Sequence, residues 1–222
     1  MDYIYEITST AQAGFGQVHP QLREEFVAKG IICPHCGRID PLHLNDIDRI
    51  IVNVDYVPKT HSGVIGKLVY TELFSSQFYE ILGHERIQRL GRVVPIENHL
   101  GQFQNRFKCV LIDERQGDDK VRGDTPNEPS ICKVCGRLRY WPGWPPSEKW
   151  YVLRRDLPKD GRDLFHLGFL LCTPELWEQK IKPVKLKHIK AHRLRILDEP
   201  TDGWPADHQE LTEAVRAKGL LK

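Results

Sequence analysis

The chain has 222 residues, of which 40% are apolar, and contains eight Phe, five Trp and seven Tyr, which is enough for a real hydrophobic core. Its length fits one large domain or two small ones, and the lack of a long apolar run excludes a transmembrane helix. A net charge of +2 does not by itself indicate any class of partner.

Apolar spacing and turn residues predict three elements in the first quarter of the chain. Residues 3–7 alternate as a strand does, and residues 20–29 read as a helix that Gly30 stops. Residues 49–57 are rich in β-branched side chains and predict a second strand. The apolar face of the helix is formed by Leu22, Phe26 and Val27.

The middle of the chain predicts a helix followed by a strand. Residues 71–82 place apolar side chains on one helical face, with Thr71 as the N-cap and Gly83 as the stop. Residues 103–113 read as a strand. The apolar face of this helix consists of Leu73, Phe74, Phe78 and Leu82.

The last third of the chain mixes strands and helices in the same way. Residues 149–155 predict a strand, Thr173 followed by Pro174 opens a helix, and residues 207–218 form a final helix. Because these elements do not follow a long βαβ rhythm, the predicted class is α+β.

A six-residue pattern, Cys-x-x-Cys-Gly-Arg, occurs twice. Two residues between cysteines allow both sulfurs to reach one metal from a tight turn, and the following glycine suits the positive φ that closes such a turn. One turn supplies half of a tetrahedral site, so the pair predicts a zinc-ribbon-like four-cysteine site. The predicted metal ligands are Cys33, Cys36, Cys132 and Cys135.

The wide spacing of the motifs leaves two interpretations open. With 95 residues between Cys36 and Cys132, they form either a structural clamp on one metal or two separate redox or disulfide pairs. The chain starts without a signal-peptide pattern, so we expect a cytoplasmic protein with reduced thiols, which favours the clamp and a structural Zn²⁺ cofactor. Cys109 and Cys172 lie in apolar runs and are expected to be small buried hydrophobic residues.

Two similar offsets indicate an internal duplication. A shift of 99 residues aligns the cysteine motifs, and a shift of 102 aligns residues 66–71 with residues 168–173. We therefore expect two small related lobes, residues 1–112 and 131–222, which share the metal site unless they form one integrated domain. An acidic linker over residues 113–130 joins them.

The predicted linker is a candidate surface for a basic partner, because acidic side chains there could steer association. The simpler interpretation of the same composition is a solvated loop. The acidic residues in question are Asp113, Glu114, Asp118 and Asp119.

Two further stretches are candidate partner surfaces. Trp141 and Trp144 lie in a proline-rich aromatic segment that could anchor a partner or cover the metal site or the junction of the lobes. Residues 182–195 are basic and could contact phosphates, but their interleaved apolar residues also fit a half-buried element with a charged outer face.

The sequence contains no recognisable catalytic constellation. It has no phosphate loop, no G-x-S-x-G and no H-E-x-x-H, and His35 lies between two predicted ligands where its side chain points outward. A four-cysteine zinc site is saturated, whereas a catalytic zinc keeps one position open. We therefore expect a protein that is not an enzyme.

Two widely spaced C-x-x-C-G motifs in a chain of this size resemble the double-CxxCG motif family of bacterial immunity proteins, which are encoded beside Sit-type polymorphic toxins. The resemblance spans nearly the whole chain and depends on the four predicted ligands together with Gly37 and Gly136. Residues 68–78 are also similar to a strand-then-helix segment common among toxin-immunity proteins. The resemblance implies a cytoplasmic protein that binds and neutralises a cognate toxin, and a nuclease is the commonest guess for such a toxin.

The slightly basic charge does not match the acidic character usual in partners of basic nucleases, so either residues 113–128 supply a local acidic face or the toxin is not a basic nuclease. The alternative from another class is a zinc-ribbon regulator that binds nucleic acid through residues 182–195. A redox protein is the third hypothesis.

Overall fold

Two β-sheets that share a hydrophobic core form the framework of the protein. A computed structural model describes the chain over residues 1–9, 20–35, 40–52, 65–68, 71–98, 107–112, 130–135, 138–139 and 150–199. The strands are β1 (Tyr3–Ser9), β2 (Ile50–Val52), β3 (Ile65–Leu68), β4 (Thr71–Ser75), β5 (Gly91–Val94), β6 (Ile96–Asn98), β7 (Phe107–Ile112), β8 (Ser130–Ile131), β9 (Leu138–Arg139), β10 (Tyr151–Leu153), β11 (Leu164–His166), β12 (Leu170–Cys172) and β13 (Ile189–Leu197).

Helices are short and lie mainly against the sheets. The α-helices are α1 (Pro20–Ala28), α2 (Ser76–Leu82), α3 (His84–Leu90) and α4 (Pro174–Leu176), and α4 continues as a π-helical turn, Trp177–Ile181. Short 3-10 helices cover Pro41–Asp46, Arg154–Asp156 and Lys182–Val184. No helix in these described ranges is long and apolar enough to span a bilayer. The class is mixed α+β, as predicted.

The larger sheet has five strands in the order β10-β13-β1-β12-β11. Strand β10 runs parallel to β13, and the other neighbours are antiparallel. The N-terminal strand β1 therefore lies at the centre of a sheet whose other strands all come from residues 151–197. The second sheet is antiparallel, with the order β3-β4-β7-β5.

The four-stranded sheet separates two hydrophobic cores, because alternate side chains of its strands point to opposite faces. On one face, Leu73 and Cys109 pack with Phe26 of α1. On the other face, Phe74 and Val110 pack with α2, α3 and residues of the five-stranded sheet. A third core covers the opposite face of the five-stranded sheet and includes Ile4, Val152, Phe165, Leu171 and Leu194.

The end of α1 follows the sequence prediction. Gly30 adopts φ +73°, its N–H donates to Val27 O at 3.0 Å, and the Ile31 N–H donates to Phe26 O at 2.8 Å. This pair of bonds, with Ile31 and Phe26 buried together, is the Schellman arrangement that glycine favours at a helix C-terminus. The predicted stop at Gly30 is confirmed.

Two other predicted helix ends are also confirmed. Thr173 caps α4, since its Oγ1 accepts the Leu176 N–H at 3.3 Å, and Pro174 occupies the first helical position. Gly83 ends α2 with φ 81°, and its N–H donates to Tyr79 O at 3.0 Å.

The predicted helix over residues 71–82 is wrong in its first part. Residues Thr71–Ser75 form the buried strand β4, which pairs with β3 on one side and β7 on the other. The cap is Ser75 rather than Thr71, because the Ser75 Oγ accepts the Phe78 N–H at 3.2 Å.

Within the described residues, the predicted strands over residues 49–57, 103–113 and 149–155 contain β2, β7 and β10, and Arg154 and Arg155 belong to a 3-10 helix instead. The expected duplicated lobes are not seen in the part of the chain that the structure describes. Each half contains a strand followed by a capped helix, but the 102-residue offset aligns Thr71, which begins a strand, with Thr173, which caps a helix. The predicted linker over 113–130 lies outside the described residues except for Ser130, which begins β8, and the final helix predicted over 207–218 lies entirely outside them.

Candidate metal centre

Three cysteine thiols meet although two of the cysteines lie about 100 residues from the third in sequence. The Sγ atoms of Cys33, Cys132 and Cys135 all lie within 4.8 Å of one another, and those of Cys33 and Cys132 are 3.8 Å apart. All three are free thiols; Cys132 is buried, and the other two are half-buried. Three of the four predicted ligands are therefore close enough to bind one metal ion.

Cys33 is positioned by the end of α1. Ile31 and Ile32 follow the helix stop and are buried in the core beside α1. Cys33 is the next residue and is half-buried, so it lies at the edge of that core. The chain returns at Asp40, whose N–H donates to Ile31 O at 2.6 Å. The Asp40 Oδ1 then accepts the Leu42 N–H at 3.0 Å and caps the 3-10 helix Pro41–Asp46. Hydrogen bonds and burial therefore hold the residues on both sides of the first cysteine motif.

Cys132 and Cys135 are presented by a two-stranded hairpin. Strands β8 and β9 are antiparallel, with Ser130 opposite Arg139 and Ile131 opposite Leu138. Cys132 directly follows β8, and Cys135 lies in the turn over residues 133–135. A hairpin of this kind holds both thiols on one short loop.

The sulfur separations fit a tetrahedral thiolate site. With Zn–S bonds of about 2.3 Å, the sulfurs of such a site lie about 3.8 Å apart, which is the Cys33–Cys132 separation. A disulfide requires about 2.05 Å, so these two sulfurs are not bonded to each other. A cluster of thiols suits Zn²⁺, Cu⁺ or iron rather than Ca²⁺ or Mg²⁺.

Cys36 and all six residues predicted to bind a partner lie outside the described residues, so their assignments stay predictions. His35, which lies between the two cysteines of the first motif, is exposed. The predicted partner residues concerned are Asp113, Glu114, Asp118, Asp119, Trp141 and Trp144.

The prediction that the remaining cysteines are buried is confirmed. Cys109 in β7 and Cys172 in β12 are both fully buried. Burial raises the pKa of the Cys109 thiol to about 12, with a smaller contribution from the nearby charge of Glu72. Burial also raises the pKa of Cys172. Neither thiol is available to a metal at the surface.

Two groups of residues were not singled out from the sequence. Glu72 and His166 form a buried pair between the sheets, with 3.2 Å between Oε1 and Nε2. Tyr5 packs against both Tyr3 and Trp177 at one end of the five-stranded sheet. The sequence indicates only that Tyr3 and Tyr5 alternate along a predicted strand. The contacts of Glu72 with His166 and of Tyr5 with Trp177 join distant parts of the chain, so no local pattern predicts them.

Comparison with protein-family models, curated proteins and solved structures finds no match to this chain.

Proposed function

We propose that Cys33, Cys36, Cys132 and Cys135 hold one structural Zn²⁺. The observation that supports this is the convergence of three thiols from two C-x-x-C-G turns, at separations that suit a tetrahedral ion. Cys36 belongs to the same C-x-x-C-G motif as Cys33 and supplies the fourth thiolate in this proposal. Bound zinc would offset half of the negative charge of the four thiolates and tie the end of α1 to the β8–β9 hairpin.

Such a site would act in folding rather than in catalysis. Four thiolates leave no open position for a water or substrate, and metal bound only by the folded chain contributes directly to stability. A zinc site of this kind would cross-link two segments that are distant in sequence. A disulfide does not serve that purpose in the cytoplasm, where thiols are kept reduced.

We further propose that the protein is a cytoplasmic, non-enzymatic immunity protein that binds and neutralises a cognate polymorphic toxin. Support comes from the resemblance of the doubled C-x-x-C-G motif to immunity proteins encoded beside Sit-type toxins. The proposed saturation of the metal site agrees with a binding protein, because it leaves the metal no chemistry to perform.

The experiment is co-expression of the full chain with the toxin encoded by the adjacent gene. The proposal expects that cells survive the toxin only when this protein is present, and that purified chain contains one zinc per molecule by elemental analysis. Equal killing with and without the protein would contradict the immunity role. If the purified protein protects cells but contains no metal, the zinc proposal is contradicted and the immunity proposal stands.

A further inference from the structure

One end of the five-stranded sheet carries a mixed group of aromatic and basic side chains, here called the aromatic–basic cluster: Tyr3, Tyr5, Trp177, Lys182 and Arg193. Tyr3 and Tyr5 alternate along β1 and so share one face of the sheet. In the register of β1 with β13, Tyr5 is opposite Arg193. Trp177 and Lys182 come from the helical turns after β12. Nothing in the proposed metal site uses these residues.

The rings and the guanidinium of the cluster hold one another in place. The rings of Tyr3 and Tyr5 meet edge to face, with centroids 5.6 Å apart and an interplanar angle of 85°. The Arg193 guanidinium carbon lies 3.8 Å from the Tyr3 centroid, a cation–π contact. Trp177 packs against Tyr5 with centroids 5.8 Å apart. A surface ordered in this way loses little side-chain entropy when a partner binds.

The only carboxylate in contact with the cluster, among the described residues, is Glu178, and two cluster members already bind it. Its Oε1 accepts the Tyr5 hydroxyl at 3.0 Å, and its Oε2 accepts the Lys182 ammonium at 2.5 Å. These bonds, that of Lys182 first, lower the pKa of Glu178, so the carboxylate stays ionised near neutral pH. Lys182 balances this charge, and Arg193 leaves the cluster positive.

Further exposed cations border the cluster and extend its positive charge. No acidic residue occurs between positions 179 and 197, so the neighbouring surface of this segment is basic. The exposed basic residues that lie next to Trp177 and Lys182 in the chain are Lys180 and Lys185.

The contacts favour a protein partner over a nucleic acid. Base stacking requires an uncovered ring face, but the Arg193 guanidinium lies over one face of Tyr3, and Tyr5 is packed against both other rings. By contrast, Trp, Tyr and Arg are the residue types that dominate binding energy at protein interfaces.

We infer that the aromatic–basic cluster is a docking surface for the acidic face of a protein partner. The positive charge of Arg193 and its neighbours complements carboxylates, and the rings supply rigid contact area. That this partner is the cognate toxin rests on the proposed immunity function.

The experiment compares full-length parent protein with Arg193→Glu, which alters an exposed side chain, and with Arg23→Glu, a charge-matched control on the exposed side of α1. Binding is measured to an acidic copolymer of Glu and Tyr, to an oligothymidylate of about 20 nucleotides, and to the toxin encoded by the adjacent gene. Circular dichroism and metal content verify that each variant is folded. Trp177→Ala, which also touches the core, is a second probe of the same surface.

We expect Arg193→Glu to weaken binding of the copolymer and of the toxin about tenfold or more. Trp177→Ala should raise the dissociation rate, and Arg23→Glu should bind like the parent. Parent protein that does not bind the copolymer, or an Arg193→Glu variant that binds it as well as the parent, would overturn the inference. Tighter binding of the oligothymidylate that is lost in Arg193→Glu would also overturn it and indicate a nucleic-acid interface.

The toxin measurements separate the two proposals. If the parent binds the copolymer through Arg193 but does not bind or neutralise the toxin, the immunity function fails and the docking surface stands. If parent and Arg193→Glu neutralise the toxin equally, the immunity function stands and the docking inference fails.

Discussion

Glu72 and His166 form a buried polar pair at the junction of the two sheets. The Glu72 Oε1 and the His166 Nε2 are 3.2 Å apart, and only 3% and 2% of the two side chains are exposed. Glu72 belongs to β4 of the four-stranded sheet, whereas His166 belongs to β11 at the edge of the five-stranded sheet. Because a carboxylate oxygen accepts hydrogen bonds, this pair adds a directional polar contact to the hydrophobic core that the two sheets share.

We predict that Glu72→Ala lowers the free energy of unfolding by about 3 kcal/mol, because it leaves the buried His166 without this carboxylate. Urea denaturation measures the loss. In the double variant Glu72→Ala/His166→Ala, the total cost should be clearly smaller than the sum of the two single costs. Additive single costs would show that the pair does not interact energetically.

We predict that Cys33→Ser removes bound metal and lowers the melting temperature by roughly 5–15 °C, since loss of a saturating ligand costs several kcal/mol. Elemental analysis and thermal denaturation measure the two effects. Cys109→Ala is the matched control, because this buried cysteine is not part of the thiol cluster. It should lose some stability but keep its metal, and equal metal content in both variants would contradict the site.

We predict that stability declines at alkaline pH because Cys109 must stay protonated in the folded protein. Burial raises its pKa from 9.0 to about 12, so its contribution to the free energy of unfolding is complete below pH 9.0 and is lost between 9.0 and about 12. Urea denaturation between about pH 8 and 10.5 should show this decline. The decline should be shallower in Cys109→Ala, and an identical pH dependence would contradict the prediction.

We predict that Gly91→Ala destabilises the four-stranded sheet by about 2 kcal/mol or more. A Cβ at Gly91 would lie 1.9 Å from the carbonyl oxygen of Leu111, so β5 and β7 would have to separate. Gly30→Ala is the comparison, because its Cβ would meet nothing within 4 Å and only the positive φ is unfavourable. It should cost about 1 kcal/mol, and a larger loss for Gly30→Ala would argue against the close approach at Gly91.

Local signals predicted the ends of helices well. Gly30, Gly83 and the Thr173–Pro174 pair act through the conformation and hydrogen bonds of neighbouring residues, so a short stretch of sequence is sufficient to predict them. The segment from Thr71 to Ser75 was misassigned because its apolar residues also fit one helical face. Its pairing with β3 and β7 selects the strand, and that pairing involves residues up to 40 positions away.

The candidate metal ligands were predictable from the sequence by itself, because two cysteines at a spacing of three can reach one metal ion from a single turn. The meeting of Cys33 with Cys132 at 3.8 Å was decided only by the tertiary structure, through the buried Ile31 and Ile32 and the β8–β9 hairpin. The same is true of the contacts of Glu72 with His166 and of Tyr3 with Arg193. Such contacts depend on sheet order and register, which hydrophobic packing over the whole chain selects, and no local spacing encodes them.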